Sequence, residues 1–280
     1  MDKKNLRIIF FGTPEFVLPV IQTLRDNFSL VGAVTTPDVP VGRKQKLTPS
    51  PVKLALQGQA LKILTPEKLT DDVAKSLKQL QADLFVVAAY GKIIPQNILD
   101  IPQYGALNIH PSLLPKYRGA SPIQNALLGG DEVSGVSIIK MDDKMDHGPL
   151  IFTKEIRLSQ QDNFDTLSKK MFSEAARVLP EVIEDFISGK VVVKEQDEQQ
   201  ATFTKVIKKE DGYFDINNPP TSQKLDRMIR AYYPWPAAWT RWNDKVVKFY
   251  PEGLIQIEGK HPVPLKDFLN GYPNFPLKSF

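Results

Sequence analysis

The first two-thirds of the chain alternates short, continuous apolar runs with stretches of helical periodicity, and this alternation limits its fold more than any other feature. Leu6–Phe11, Leu30–Thr35, Leu61–Leu64, Leu84–Ala89 and Tyr104–Ile109 read as strands. Helical stretches separate them: about Phe16 to Leu24, a helix through Leu56, and one opened by Asp71 or Asp72 that carries Val73, Leu77 and Leu80. Ser50-Pro51 supplies an N-cap and a first-turn proline for the second of these. A strand apolar on both faces must be covered on both faces. The pattern therefore predicts an α/β fold with a buried, mostly parallel, Rossmann-like sheet. Gly135–Met141 and Leu150–Ile156 read as later strands. Asn163–Ser188 reads as a long amphipathic helix, with Leu167, Met171, Ala175, Val178, Val182 and Phe186 at helical spacing. That stripe belongs to the core.

The turn after the first strand disfavours a dinucleotide site. Gly12-Thr13-Pro14-Glu15-Phe16 lacks the G-x-G-x-x-G pattern, and Pro14 and Glu15 stand where glycines would approach a pyrophosphate. The chain has no cysteine and three histidines, so disulfides, Cys-ligated zinc, a cysteine nucleophile and a His-rich metal centre are excluded or disfavoured. There is no apolar run of membrane-spanning length, and the four apolar residues Ile8–Phe11 are too few for a signal-peptide core. A cytoplasmic protein is expected.

Past residue 192 the pattern changes. We expect a large α/β domain over 1–192, a polar linker over 193–206, and a small β-rich domain over 207–280. Thr202–Ile207, Trp239–Trp242, Val246–Tyr250 and Leu254–Glu258 read as short strands, with a helix from about Ser222 to Ala231 among them. Four short strands are too few to close a small barrel. An open β domain is therefore expected, with Trp235, Trp239 and Trp242 in its core. The net charge of +4 arises entirely here: residues 1–199 hold 24 basic and 24 acidic residues, residues 200–280 hold 12 and 8. The excess is small, and such a basic appendage suits a phosphate backbone only weakly by itself.

The chemistry concentrates in residues 108–122, Asn-Ile-His-Pro-Ser-Leu-Leu-Pro-Lys-Tyr-Arg-Gly-Ala-Ser-Pro. Asn108 and His110 are two residues apart on a strand, so both side chains project to one face. An amide N–H and an imidazole N–H converging there are what an oxyanion requires. The prolines that follow hold the next loop in extended and turn conformations.

This string resembles the signature of the 10-formyltetrahydrofolate-dependent formyltransferases, whose fold is Rossmann-like. The resemblance implies a third member of the site, Asp146, in Met141-Asp-Asp-Lys-Met-Asp-His-Gly-Pro-Leu150, where the family has Asp followed two residues later by Gly. His147 departs from the small residue usual in the family and is read as non-catalytic. The resemblance also implies that Ser112, Leu113, Leu114 and Pro115 form part of a folate wall, and that Phe85, Ala88, Tyr90 and Gly91 help make a pterin pocket. Burial in the core accounts equally well for the strand residues. Arg118 is read as bracing the loop. No metal is implied.

A second segment separates acceptors within the family. This is Thr36–Lys53, whose stretch through Thr48 is long for a strand–helix connection and carries Arg43, Lys44 and Lys46 beside Gly42. Pro-Asp-x-Pro-x-Gly-Arg…Leu-Thr-Pro-Ser-Pro-Val-Lys resembles the loop that the methionyl-tRNA branch of the family extends toward the acceptor arm. Gly12-Thr-Pro-Glu-Phe, Ile229–Ala237 and Asp267-Phe-Leu-Asn-Gly-Tyr resemble the same branch, which implies that residues 207–280 form an OB-like tRNA-binding domain, shortened here because Leu254–Glu258 runs almost at once into Pro262–Tyr272. The resemblance implies methionyl-initiator tRNA as the acceptor and formylfolate as the donor, with a monomer and no membrane involved. Lys205, Lys208 and Lys209 would join the basic loop in touching the tRNA. A sugar-nucleotide N-formyltransferase is the alternative enzyme. A catalytically idle tRNA- or folate-binding protein is the alternative from another class.

Overall fold

The computed structural model describes residues 3–42 and 45–280. Its strands and helices begin with β1 (Arg7–Gly12), α1 (Leu18–Asn27) and β2 (Ser29–Val34). A hairpin follows, β3 (Val39–Val41) and β4 (Lys46–Thr48), then α2 (Pro51–Leu56), β5 (Lys62–Leu64), α3 (Asp71–Gln79) and β6 (Leu84–Ala88). Next come α4 (Gln96–Leu99), β7 (Ala106–His110), β8 (Arg118–Gly119), α5 (Pro122–Gly129), β9 (Val133–Lys140), β10 (Leu150–Arg157) and α6 (Phe164–Ile187). The rest is β11 (Phe203–Thr204), α7 (Ser222–Tyr232), β12 (Ala238–Trp242), β13 (Lys245–Tyr250), β14 (Leu254–Ile257), β15 (Val263–Pro264) and α8 (Leu265–Gly271).

The chain divides into two compact units. One comprises Met1–Arg118, Gly135–Ile156 and Lys169–Phe203; the other comprises Gly119–Ser134, Arg157–Ser168 and Thr204–Phe280. The first is built on a seven-stranded sheet in the order β10-β9-β7-β6-β1-β2-β5. β5, β2, β1, β6 and β7 are parallel neighbours, and β9 joins β7 antiparallel. The parallel sheet expected from the apolar runs is present because those runs have nowhere polar to face: every residue of β6 is buried. Phe11 of β1 meets Phe85 at 5.1 Å and Tyr90 at 5.5 Å between ring centroids. Burying each such ring stabilises the fold by about 1.5–3 kcal/mol.

The helix starts follow local chemistry. The Ser50 hydroxyl accepts a 3.1 Å hydrogen bond from the Lys53 N–H, capping α2, and lies 2.7 Å from the Thr35 hydroxyl just past β2. Gly12 ends β1 where a Cβ would come within 2.7 Å of the Ala88 carbonyl. The glycine is required by strand packing. The Thr13 hydroxyl then donates to the Tyr90 carbonyl at 3.1 Å, tying the turns after β1 and β6 together.

The second unit carries a four-stranded antiparallel sheet, β12-β13-β14-β15. β12 and β15 are its edges, so it does not close into a barrel. Phe214, Leu225, Ile229, Phe249, Ile255 and Phe275 form its core. Helix α5 lies against α7 in the same unit, and the Arg227 guanidinium donates to the Gly129 carbonyl at 3.2 Å.

Two expectations for this region need correction. The stretch Thr202–Ile207 is not a strand of the C-terminal sheet: only Phe203–Thr204 is extended, and it pairs with β8. The fourth strand is instead the two-residue β15, whose Pro264 suits an edge because it has no N–H to donate. Among the tryptophans, Trp242 packs edge-on against Tyr272 and Phe275. Trp235 does not fill the core; it is 58% exposed.

Candidate active site

Strand β7 delivers the two expected donors. Asn108 pairs with Ile139 and His110 with Ser137 of β9, which fixes their register in the sheet. The segment after β9 returns Asp146 to the face they share. The Asn108 amide donates to Asp146 Oδ1 at 3.1 Å, and Asp146 Oδ2 lies 3.5 Å from His110 Nδ1. His110 is buried at 4% exposure, and the Asp146 side chain at 13%. The other ring nitrogen of His110, Nε2, lies 3.0 Å from the Tyr117 carbonyl. Both ring nitrogens face acceptors, so a ring carrying both protons donates to both. Asn108 uses one of its two amide protons among the described residues.

Asp146 sits in a left-handed conformation, φ 50°, which aspartate tolerates better than most residues. Gly148 explains the spacing of the motif. A Cβ there would lie 1.8 Å from the Lys140 carbonyl, so the chain turns back against the end of β9 only with glycine. His147 neither blocks this turn nor faces solvent alone. Its Nδ1 lies 2.6 Å from Asp142 Oδ2 and its Nε2 lies 3.5 Å from Glu198 Oε1.

The loop after β7 is fixed by its own polar groups. Ser112 is fully buried, and its hydroxyl donates to the Lys116 carbonyl at 2.6 Å. The Leu114 N–H donates to Ser137 Oγ, which in turn donates to the Ser112 carbonyl. Leu113 lies over Gly135 of β9, and Pro115 follows a cis peptide bond. The Ser112 hydroxyl is thus spent inside the loop. Phe85 and Ala88 are fully buried in β6, and their side chains pack the core. Beyond β6 the chain opens: Ala89 and Gly91 are exposed, and Gly91 has φ 81° with empty space where a Cβ would be. Between them Tyr90 is 2% exposed, and burial pushes its hydroxyl up to about 12. That hydroxyl has no hydrogen-bond partner among the described residues.

The basic residues divide. Arg43 and Lys44 lie outside the described residues. The long connection around them is not a plain loop: Val39, Pro40 and Val41 pair with Thr48, Leu47 and Lys46 in the β3–β4 hairpin, with Lys46 exposed. Lys205, Lys208 and Lys209 are exposed along one short stretch. The Lys209 ammonium lies 5.6 Å from the Trp239 ring centroid, and its carbonyl accepts the Trp239 indole N–H at 2.9 Å. Among the described residues no cluster of His, Asp or Glu suits a metal ion, and no helix is long and apolar enough to cross a membrane.

Sequence reasoning missed the segment that holds this arrangement. Within the stretch read as a linker, Lys194, Gln196, Glu198 and Thr202 bond to the loops that carry the site. Lys194 pairs with Leu150 through two backbone hydrogen bonds, and the Thr202 hydroxyl and carbonyl accept from the N–H groups of Tyr117 and Arg118. Glu198 accepts from buried Arg118 at 2.6 and 3.0 Å, which holds its carboxyl below the usual range against the opposing effect of burial. The polar run had no local signal of this, because its partners are up to 85 residues away.

A family model described as "Formyl transferase" matches residues 6–183, well over half of the chain. The chain belongs to the formyl transferase family. The family's C-terminal domain model matches residues 206–252. Among similar sequences, the "Methionyl-tRNA formyltransferase" of Chloroflexus aggregans is 42% identical over 87% of this chain and 79% of its own length. The enzyme of the same name from Listeria welshimeri is 40% identical over 93% and 84%. Solved structures share the fold at lower identity. The methionyl-tRNA formyltransferase of Clostridium thermocellum has a TM-score of 0.62 at 18% identity, covering 92% of this chain and 99% of that one. A sugar N-formyltransferase from a Shewanella species has a TM-score of 0.67 at 15% identity, covering 88% and 96%.

Proposed function

We propose that the chain transfers the formyl group of 10-formyltetrahydrofolate to the amino group of methionyl-initiator tRNA. The observation that carries this reading is the Asn108–Asp146–His110 cluster at the end of β7, in a chain 40–42% identical to enzymes named for that reaction.

The chemistry is an acyl transfer without a covalent enzyme intermediate. The amine nitrogen bonds to the formyl carbon, and the formyl oxygen becomes an oxyanion. The remaining Asn108 N–H donates to that oxygen, and the His110 ring adds positive charge beside it when protonated. Asp146 orients His110 and takes the amine proton, directly or through water. The bond from the formyl carbon to the folate nitrogen then breaks, that nitrogen gains a proton, and the carbonyl re-forms. Burial of the cluster lowers the local dielectric and strengthens each of these interactions.

For the folate, the open segment Ala89–Gly91 with the orphaned Tyr90 hydroxyl is a fitting neighbour, since a buried unpartnered hydroxyl favours a polar ligand edge. Ser112–Pro115 would supply the opposite wall through its backbone. Lys46, Lys205, Lys208 and Lys209, with Arg43 and Lys44, would meet tRNA phosphates. A cytoplasmic monomer is part of the same reading. The test is direct: purified protein is given 10-formyltetrahydrofolate with methionyl-tRNA or with amino-sugar nucleotides. Formylation of methionyl-tRNA alone is expected. Preferential formylation of the sugar would overturn the acceptor, and no formylation of either would favour a binding protein.

A further inference from the structure

Gln196 stands at the centre of a network that no part of the reaction scheme uses. Gln196 is 9% exposed. Its amide nitrogen lies within hydrogen-bond distance of three consecutive carbonyls, Asp146 at 2.9 Å, His147 at 3.0 Å and Gly148 at 2.7 Å, and shares its two protons among them. The amide oxygen accepts from Arg118 Nε at 3.0 Å and Nη2 at 2.8 Å. Arg118 has only donors, so it permits one orientation of the amide, with the oxygen toward itself and the NH₂ toward the loop. Arg118 is 2% exposed and is itself held by Glu198. The backbone delivers Gln196 to this place. Lys194 is locked to Leu150 as an isolated antiparallel bridge, and Gln196 lies two residues further along.

Three carbonyls in a row facing one side chain is a costly arrangement unless that side chain donates, because these acceptors, the buried Gly148 carbonyl above all, would otherwise lose hydration. The left-handed backbone at Asp146, φ 50°, is a further conformation that the surroundings must hold. Gln196 meets both needs and fixes the backbone from which the Asp146 carboxylate reaches Asn108 and His110. The same segment also supports His110 from its other side: Thr202 receives the N–H groups of Tyr117 and Arg118, and the Tyr117 carbonyl faces His110 Nε2.

We propose that Gln196 is a positioning residue for formyl transfer: its amide, oriented by Arg118, holds the backbone of 146–148 so that Asp146 faces Asn108 and His110. The inference rests on the function proposed above. A carboxylate displaced by about 1 Å from its working position is enough to cost on the order of 10²-fold in rate.

The test compares wild type with Gln196→Leu and Gln196→Glu. Glutamate keeps an acceptor for Arg118 but turns an acceptor, in place of a donor, toward the three carbonyls. Both variants should lose at least about tenfold in kcat, with KM for each substrate within about threefold, and with an altered pH–rate profile. The imidazole nitrogen resonances of His110 should shift in both, a readout independent of turnover. If Gln196→Leu fails to fold by circular dichroism, Gln196→Glu decides. A folded variant with wild-type kcat and unshifted His110 resonances would overturn the positioning role. A wild type inert toward methionyl-tRNA would instead defeat the functional reading, while the His110 resonances still judge Gln196.

Discussion

The Asp146 carboxylate divides its two oxygens between residues two apart on one strand, Oδ1 to the Asn108 amide at 3.1 Å and Oδ2 to the His110 ring at 3.5 Å. Because alternate residues of a strand share a face, one carboxylate from a neighbouring loop reaches both. An amide with a spare proton, an imidazole and a carboxylate thus meet at the end of one strand. The consequences can be measured.

Asn108→Ala should fold like the wild type, since the side chain is only half-buried and makes one hydrogen bond among the described residues. Its turnover should fall by about 10²–10³, the usual cost of losing one oxyanion donor. Steady-state formylation kinetics with a thermal melt as control would decide. Near-wild-type turnover in a folded variant removes Asn108 from the oxyanion role.

Gly148→Ala should affect both stability and rate. The added Cβ meets the Lys140 carbonyl, a backbone atom of β9 that cannot swing aside. Overpacking of this kind costs about 1–3 kcal/mol, so the unfolding midpoint should drop. Turnover should drop with it because Asp146 is two residues away. A variant with an unchanged melt would show that this turn is looser than the geometry indicates.

Tyr90→Phe should leave the free protein as stable as wild type or more so, because an unpartnered buried hydroxyl costs about 1–3 kcal/mol. If the hydroxyl meets the folate, KM for formylfolate should rise while KM for tRNA stays. Alkaline pH offers an independent check. The folded-state value is pushed up to about 12 from an ordinary 10.0, so the folded chain keeps a proton that the unfolded chain releases. The associated stability is fully present below pH 10 and lost as pH rises through 12. The loss approaches 2–3 kcal/mol on the order of one group shifted by two units. Denaturant titrations at rising pH should show a smaller fall in Tyr90→Phe than in wild type.

Replacing Lys208 and Lys209 together by alanine should weaken tRNA binding without changing formylfolate binding. If both meet phosphates, the slope of log affinity against log salt should shrink by about 0.7–0.9 for each. An unchanged slope would place the tRNA elsewhere on the chain.

Some of this was legible before any coordinates. The strand runs needed only their apolarity, since residues such as those of β6 can exist nowhere but inside a covered sheet. The cap at Ser50 and the shared face of Asn108 and His110 follow from local geometry, which repeats every few residues and so is written in short windows of sequence. The role of Asp146 came from a motif; the carboxylates at 142 and 143 differ from it by position alone.

Tertiary structure decided what depends on contacts between distant residues. Gln196 lies in a polar run that reads as a linker, and its acceptors are about 50 residues earlier in the chain, its donor 78. Phe203–Thr204 left the C-terminal sheet for a partner near residue 118, and the two residues Val263–Pro264 took the fourth place instead. Trp235 looked like core by residue type, but it lies at the surface, outside the cluster that fills the second unit. Apolar pattern and turn chemistry set which segments form strands and helices, because they act over a few residues. Which strand pairs with which, and which side chain closes over the site, depend on register and packing across long separations.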